Sequence, residues 1–212
     1  MKRSQLFGTD GIRGVAGEYP LDERTVHLVG RALGKFLNTG EAGKARRVLI
    51  GQDTRESSRW IADTLAAGLS RENVSAVSAG VLPTAGVAYL SRLDGYAAGV
   101  MISASHNPYQ DNGIKVFAHT GYKLPDADEL RVEGAIFRLL GQKLQPPALP
   151  HSLREDPALR GRYEQFLRSR LRGGARFDGM RVVLDCANVA ATSVAPELFE
   201  HLGAEVIAIH AA

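Results

Sequence analysis

Cysteine is the residue that this sequence most nearly lacks: Cys186 is the single one in 212 residues. One thiol cannot form an internal disulfide, so we exclude a small disulfide-stabilised secreted domain and expect a reducing, cytoplasmic location. The sequence also lacks any run of the roughly 18–20 apolar residues that a membrane-spanning helix requires. No apolar stretch follows the positively charged residues at positions 1–3, so we expect no secretory leader and no membrane partner.

Aromatic residues and net charge are also scarce. Aromatic side chains make up 7% of the sequence, and the formal net charge is +3. The arginines are scattered and are not interleaved with aromatic residues in a basic stripe, so we expect no nucleic-acid partner. With 44% hydrophobic and 23% charged residues, the composition is that of an ordinary globular protein, long enough for one α/β domain and part of another.

Short apolar runs alternate with helical stretches, which is the pattern of an α/β fold. Strands are predicted at 47–51, 74–79, 96–103, 114–117, 181–185 and 205–209. Helices are predicted at 22–38, 57–71, 84–93, 126–140, 158–171 and 194–202. The Asn112-Gly113 pair predicts a hairpin-type turn before the fourth strand, which would then run antiparallel and give a mixed sheet. Leu130 and Ile136 are predicted on the inner face of the fourth helix.

A shift in composition divides the chain. Residues 142–157 contain four of the nine prolines and few periodic apolar positions, so they are predicted to link two domains. We expect a first domain at 1–141 and the start of a second at 158–212. The second stretch holds one β-α-β unit with a leading helix, and about 55 residues cannot cover both faces of a parallel sheet. We therefore expect the second domain to be incomplete.

One stretch stands out for its chemistry: GVMISASHNPYQDNGIKVF, at 99–117, begins as a buried strand and then breaks into small and polar residues. In open α/β sheets, ligands bind beyond the carboxyl ends of strands, where this break lies. Ser105 is a candidate nucleophile or phosphate carrier. His106 and Asn107 can exchange hydrogen bonds beside it, and Lys115 can face the same pocket. The alternative is that Ser105 and Asn107 cap a turn while His106 is solvated.

A second candidate lies near the start, where FGTDGIRG (7–14) contains three glycines and Arg13. Glycines let backbone N–H groups approach an anion, and a guanidinium can hold phosphate through two parallel hydrogen bonds. The alternative is a flexible lead-in to the first helix. Asp53, Thr54 and Arg55 follow another strand and either contribute to the same site or form an Asp–Arg pair that shapes their loop.

Other chemistries find less support in the sequence. The G-x-S-x-G elbow of serine hydrolases is absent and no acidic residue is placed to orient His106, although a Ser/His hydrolase stays an alternative. The histidines outside this loop show no metal-ligand spacing. Cys186 closes an apolar strand, which indicates a core residue and not a nucleophile.

Four segments together resemble the α-D-phosphohexomutase superfamily, and within it the bacterial phosphoglucosamine mutases. They are FGTDGIRG (7–14), GQDTRESS (51–58), ISASHNPYQDNGIKVF (102–117) and LDCAN (184–188). The resemblance implies an α/β fold with a mixed-sheet α/β/α first domain of phosphohexomutase type, followed by an incomplete second α/β domain. It also implies that this chain covers less than half of a four-domain protein.

The resemblance implies a specific reaction. The serine before His-Asn-Pro, here Ser105, carries a phosphoryl group in the family and gives it to a sugar monophosphate. The resulting bisphosphate turns around, and its other phosphate returns to the serine. For glucosamine 6-phosphate this yields glucosamine 1-phosphate, on the route to UDP-N-acetylglucosamine and the cell wall. Arg13, Asn107 and Lys115 would bind the phosphosugar, and Arg13, Lys115 and His106 would compensate charge or move a proton.

The resemblance also implies a metal, because phosphoryl transfer depends on positioning and charge stabilisation. In the family this is one Mg²⁺ per site, held by an oxygen of the phosphoserine, here Ser105, and by three aspartates of a second-domain loop. We expect that loop, and those for sugar recognition and phosphate binding, to lie beyond Ala212. Val189 stands where the family usually has glycine, so we expect strain in any turn that needs a positive φ there.

Several functions stay open on the sequence alone. The first is a phosphoserine-bearing segment of a mutase, inactive as an isolated chain. The second is a non-catalytic fragment that binds phosphate or forms a homodimer through its first domain. The third is a relative that acts on glucose or mannose phosphates, since the segments that discriminate among sugars in the family are ones this chain is expected to lack.

Overall fold

The computed structural model describes residues 6–39, 46–93, 95–142, 152–171, 174 and 176–211. The strands are β1 (Ile12–Val15), β2 (Arg47–Gln52), β3 (Ser75–Val81), β4 (Ala98–Ile102), β5 (Asp111–Ala118), β6 (Arg181–Asp185) and β7 (Glu205–Ile209). The helices are α1 (Glu23–Asn38), α2 (Glu56–Ser70), α3 (Thr84–Leu90), α4 (Asp126–Leu140), α5 (Ala158–Ser169) and α6 (Ala195–His201). Strands and helices alternate, so the α/β class is confirmed.

Five strands form one mixed sheet in the order β1-β5-β4-β2-β3. β2 runs parallel to β3 and β4, whereas β5 is antiparallel to both β4 and β1. The mixed sheet predicted from the sequence is therefore confirmed. The carboxyl ends of β2, β3 and β4 share one edge of the sheet, and the loops that follow these strands converge there.

β1 is a strand that the sequence analysis did not predict. It lies within the glycine-rich segment interpreted as an anion loop or a flexible lead-in, and it pairs with β5 so that Ile12 is opposite Ile114. Gly11 permits this approach: its φ is +89°, and a Cβ there would lie 2.3 Å from the carbonyl oxygen of Ile114. A four-residue strand is too short for its periodicity to be recognised.

The hairpin turn predicted at Asn112-Gly113 is wrong, because both residues lie inside β5. Asn112 is fully buried, and its side-chain amide donates hydrogen bonds to the hydroxyls of Ser57 and Ser58 in the first turn of α2. Gly113 has no room for a side chain, since a Cβ would lie 2.7 Å from the carbonyl oxygen of Ser103. Here Asn and Gly serve burial and close packing, and the chain reverses earlier, between β4 and β5.

Helices cover both faces of the main sheet. α1, α2 and α4 pack on one face, and α3 and α5 pack on the other. Two glycines bring α1 and α2 into close contact: a Cβ on Gly30 would lie 2.2 Å from the carbonyl oxygen of Leu65, and one on Gly68 would lie 2.2 Å from that of His27. None of the helices in the described ranges is long and apolar enough to cross a membrane.

α4 buries part of its acidic face. Leu130, predicted to face inward, is 59% exposed, whereas Glu133 is buried. Glu133 accepts hydrogen bonds from the backbone N–H groups of Leu6 and Phe7, at 2.7 and 2.9 Å. This carboxylate therefore holds the segment that leads into β1. The burial predicted for Ile136 is confirmed.

The described end of the predicted linker is attached to the main sheet. Residues 143–151 lie outside the described residues, but Ser78 in β3 donates its N–H to Arg154 and accepts one from Asp156, both at 2.9 Å. α5 follows directly, and the ring of its Phe166 stacks on that of Tyr89 in α3 with centroids 3.8 Å apart. The helix assigned from sequence to the second domain thus packs on the first sheet.

β6 and β7 form a separate two-stranded parallel sheet. Its apolar side chains are only partly covered, since Val183 is 61% exposed and Ile207 is 44% exposed. Cys186, just after β6, is buried, and its prediction as a core residue is confirmed.

Candidate active site

The loops after β2, β3 and β4 meet in a cleft of about 840 Å³ at the carboxyl edge of the main sheet. We call residues 103–110, which connect β4 to β5, the serine loop; Ser105, His106 and Asn107 line the cleft from this loop. Thr54 lines it from the loop after β2, and Asn188 lines it from the loop after β6. The Thr54 hydroxyl donates a hydrogen bond to the carbonyl oxygen of Asn188, so the two sides of the cleft are in contact.

Ser105 is exposed and has a φ of +59°, in the left-handed region that non-glycine residues rarely adopt. Its N–H donates to the hydroxyl oxygen of Ser103 at 3.0 Å, and the N–H of Asn107 donates to the carbonyl oxygen of Ala104 at 3.2 Å. The Ser105 Oγ lies 3.5 Å from Nδ1 of His106, at the outer limit of a hydrogen bond. The segment is therefore a turn, as the alternative interpretation held, but a turn with an exposed serine at its apex.

Backbone strain is concentrated at this cleft. Among the described residues, five non-glycine residues have a positive φ, and Ser105, Ala187 and Asn188 all line the cleft. Left-handed backbone at such residues costs on the order of 1–3 kcal/mol each, and it persists where the surrounding structure enforces it, most often at functional sites. This supports the cleft as the place where the chain acts.

Val189 has a φ of −109°, so the condition for the expected strain, a turn that needs a positive φ at this position, is not met. The left-handed positions are the two residues before it, Ala187 and Asn188. The N–H of Ala187 donates to Oδ1 of Asp185 at 2.9 Å, and that hydrogen bond, with a second from His210, lowers the pKa of Asp185 below its usual value. Val189 is thus compatible with this loop because the turn needs no positive φ at its position.

Arg13 and Lys115 meet at one carboxylate, to which the sequence analysis gave no role. Oδ2 of Asp10 lies 2.6 Å from Nη2 of Arg13 and 3.3 Å from Nζ of Lys115. Burial by itself raises the pKa of Asp10, but the hydrogen bonds and charges of Arg13 and Lys115 outweigh it and lower the pKa. Nη1 of Arg13 also donates to Oδ1 of Asn107 at 3.1 Å. Asp10 and its two cations are therefore attached to the serine loop.

The predicted site residues thus fall into two groups. Ser105, His106 and Asn107 line the cleft, whereas Arg13 and Lys115 are not among its lining residues. Arg13 reaches the loop through Asn107, and Lys115 is connected to Arg13 through the shared carboxylate. The structure places all five side chains in one connected region.

Asp53 and Arg55 form the ion pair that the sequence analysis expected to shape their loop. Nε of Arg55 lies 3.1 Å from Oδ2 of Asp53, and the two side chains are only 10% and 5% exposed. Oδ1 of Asp53 accepts hydrogen bonds from the Ser58 hydroxyl at 2.7 Å and from the N–H of Arg55 at 3.1 Å. That interpretation is confirmed.

The resemblance implies a magnesium ion, and the carboxylates near Ser105 show whether this chain alone can supply its ligands. Asp53 and Asp10 are each engaged by cationic side chains, and Asp111 accepts a hydrogen bond from the Asn107 amide. In the described part of the chain, three metal-ligating side chains converge only at one place outside the cleft: Glu164, Glu197 and His201. Magnesium requires about six oxygen ligands in octahedral geometry, so the residues described here do not form its site, and we derive no step from it.

Comparisons with known proteins place the chain in one family. Residues 4–142 match the family described as Phosphoglucomutase/phosphomannomutase, alpha/beta/alpha domain I. The chain is 52% identical over 204 residues to a phosphoglucosamine mutase of Solibacter usitatus and 53% identical over 202 residues to one of Koribacter versatilis. These alignments cover 96% and 94% of this chain but 44% and 43% of the relatives. The chain therefore spans less than half the length of the curated relatives it matches.

Solved structures show the same fold. A putative phosphomannomutase from Thermus thermophilus has a TM-score of 0.78 at 27% identity, over 96% of this chain and 45% of its own. A phosphoglucomutase/phosphomannomutase family protein from Burkholderia thailandensis has a TM-score of 0.77 at 23% identity, over 98% of this chain and 44% of its own. A mixed sheet between helical layers is the architecture of an α/β/α domain of the kind that the matching family description names. The chain belongs to the phosphoglucomutase/phosphomannomutase family.

Proposed function

We propose that this chain is the phosphoserine-bearing part of a phosphoglucosamine mutase, an isomerase that converts glucosamine 6-phosphate to glucosamine 1-phosphate through a bisphosphate. The observation that carries the proposal is Ser105, exposed at the carboxyl edge of the sheet in a loop bound by Arg13. Relatives that are 52% and 53% identical bear the name of that enzyme. The lone, buried cysteine fits a cytoplasmic location.

The proposed reaction has two phosphoryl transfers. First, phosphorylated Ser105 gives its phosphoryl group to the free hydroxyl of the sugar monophosphate: the P–Oγ bond breaks, a bond from phosphorus to the sugar oxygen forms, and Oγ gains the proton that the sugar hydroxyl loses. In the second transfer the bond between the other phosphorus and its sugar oxygen breaks, a P–Oγ bond forms, and the proton of Oγ passes to the sugar oxygen that is released. His106, with Nδ1 3.5 Å from Oγ, is the side chain of this loop placed to exchange that proton.

Arg13, Lys115 and Asn107 are proposed to bind phosphate oxygens of the phosphosugar. A phosphoserine carries a charge of about −2 at neutral pH, and cationic side chains stabilise that charge through short hydrogen bonds. Arg13 supports this role because its guanidinium already contacts the serine loop. Lys115 supports it because its ammonium lies beside the same carboxylate as Arg13.

The proposed Mg²⁺, for which an oxygen of phosphorylated Ser105 would be one ligand, needs aspartates from outside this chain. We therefore propose that the isolated chain has no mutase turnover. The test joins residues 1–212 to the remaining part of the Solibacter usitatus relative, which continues beyond the aligned region. We expect this chimera to convert glucosamine 6-phosphate when Mg²⁺ and a hexose bisphosphate are present, and the isolated chain not to do so.

Two variants make the test specific. Ser105→Ala in the chimera should lower turnover at least about 10³-fold, because no covalent intermediate can form. Ser169→Ala, on the exposed end of α5, should leave turnover unchanged. Intact-protein mass should show one phosphate, mapped to the Ser105 peptide. Wild-type turnover by Ser105→Ala would remove Ser105 from the mechanism, and turnover by the isolated chain would refute its proposed inactivity.

The second candidate is a mutase for glucose or mannose phosphates, which the likeness to the putative phosphomannomutase favours. The same chimera tests it through kcat/KM for each hexose phosphate, with the Solibacter usitatus relative itself as the reference. Because the sugar-recognition loop of the chimera would come from that relative, a preference that differs from it would show that this chain contributes to the choice of sugar.

A further inference from the structure

The serine loop has a second anchor besides Arg13. The guanidinium of Arg55 has five N–H donors, and every one of them has a protein acceptor within 3.1 Å. Nε donates to Asp53, while Nη1 and Nη2 donate to four backbone carbonyl oxygens. These are the carbonyl oxygens of Pro108 (2.6 Å), Asp111 (3.0 Å), Ser105 (3.0 Å) and Asn107 (2.8 Å).

The conformation of the serine loop requires such a partner. The left-handed backbone at Ser105 and the turn after it bring four carbonyl oxygens to one point. Carbonyl dipoles that converge repel one another unless a donor or a cation lies between them. The planar fork of an arginine can serve all four at once, whereas the three N–H groups of a lysine cannot.

Arg55 is itself held by rigid elements. Its side chain is 10% exposed, and Asp53, which pairs with it, accepts a further hydrogen bond from Ser58 in α2. The Ser58 hydroxyl in turn accepts one from Asn112 in β5. The guanidinium is thus fixed from β2, α2 and β5 together, so it is positioned before any substrate binds.

We propose that Arg55 is the positioning residue of the serine loop: by binding its carbonyl oxygens, the guanidinium fixes Ser105 in the left-handed conformation that exposes its hydroxyl to the cleft. Arg55 contacts no substrate in this role, because its five donors are already engaged. The effect on phosphoryl transfer rests on the function proposed above, whereas the effect on the loop does not.

The first test is amide hydrogen exchange in the full chain, comparing Arg55→Lys and Arg55→Ala with the parent. Two amides report on the loop. Asn107 donates its N–H to the carbonyl oxygen of Ala104, which Arg55 does not bind, and Asp111 donates its N–H to the carbonyl oxygen of Pro108, which also accepts from Arg55. We expect their exchange to rise at least about 10-fold in both variants, while exchange in β2 and β4 stays within about 2-fold of the parent. Arg55→Lys keeps a positive charge beside the buried Asp53, so we expect this variant to fold. It therefore provides the test even if Arg55→Ala does not fold.

Two controls separate positioning from a general loss of stability. Arg59→Ala removes an arginine of α2 whose guanidinium donates hydrogen bonds to Asp63, Ser152 and Leu153, and it should leave exchange in the serine loop unchanged. A low concentration of guanidinium ion should restore at least about half of the lost protection in Arg55→Ala, because it replaces the missing group, and equimolar tetramethylammonium should not. Unchanged exchange at Asn107 and Asp111 in Arg55→Lys, or no rescue by guanidinium, would overturn the proposal.

The second test uses the active chimera. We expect Arg55→Lys to lower kcat about 10²-fold, as a misplaced reacting group does, with KM within about 3-fold of the parent value. A 10²-fold loss of kcat/KM that arose from KM alone, with kcat unchanged, would overturn the positioning role. If the parent chimera shows no turnover and no phosphate on Ser105, the proposed function fails, while the exchange experiment still decides the role of Arg55.

Discussion

The close contact of α1 with α2 yields a prediction whose magnitude follows from the structure. In Gly68→Ala the new Cβ would lie 2.2 Å from the carbonyl oxygen of His27, whereas ordinary contacts begin near 3.4 Å. The two helices must therefore move apart by roughly 1 Å, and such overpacking costs about 1–3 kcal/mol. Replacing glycine by alanine inside a helix returns about 0.5–1 kcal/mol. We expect a net loss of about 0.5–2 kcal/mol in the free energy of unfolding.

Gly134→Ala in α4 is the matched control. The atom nearest to its new Cβ is Nη1 of Arg138 at 3.6 Å, an ordinary contact, so this variant should gain about 0.5–1 kcal/mol. Urea denaturation measures both changes, and Trp60, the single tryptophan, reports directly from α2. If Gly68→Ala were as stable as the parent with an unchanged urea dependence, the helices would not be in the contact described.

Three further predictions concern single residues. Ser105→Gly should be about 1 kcal/mol more stable to urea than Ser105→Ala, because glycine adopts a positive φ without strain; equal stabilities would contradict the left-handed backbone. Since the pKa of Asp10 is lowered in the folded chain, its ion pairs stabilise the fold above the unfolded-state pKa, and this contribution is lost as pH falls through the lowered pKa. In a plot of unfolding free energy against pH, Asp10→Asn should therefore lose less stability than the parent at acidic pH. Equal losses in the two proteins would refute this contribution of Asp10. Burial, and then the charge of Arg31, lowers the pKa of His27, so the fold loses stability as pH falls below the ordinary histidine pKa. His27→Gln should reduce the loss of unfolding free energy measured between about pH 7 and 5, and an unchanged loss would contradict this.

The sequence predicted the parts of the fold that have a clear local pattern. The periodicity of α1, α2 and α5 and the buried runs of β2 and β4 locate these elements to within a few residues. β1 was missed because it is short and is stabilised by pairing with β5, about 100 residues later, an interaction with no local signal. Leu130 was assigned to the inner face of α4 with Ile136, but the side chains that α4 buries include Glu133, whose partners are backbone N–H groups.

The residues of the candidate site also divide into those with a local sequence signal and those brought together only by the fold. Ser105, His106, Asn107 and Lys115 were found because they interrupt or follow an apolar strand in one stretch of sequence. The role of Asp10 could not be found in this way, because its proximity to Lys115 arises only when β1 pairs with β5. The carbonyl contacts of Arg55 likewise join residues about 50 positions apart and involve backbone atoms, which carry no residue-type signal.

The carboxylate shared by Arg13 and Lys115 has a consequence for how an anion would bind these two cations. Both already have Asp10 as a counter-ion, so a phosphate bound as proposed above would displace a carboxylate and would not meet bare charge. The free energy gained is then the difference between two anions, smaller than the full attraction but free of the desolvation cost of isolated cations. An anion held by such an exchange would be released readily and not retained tightly.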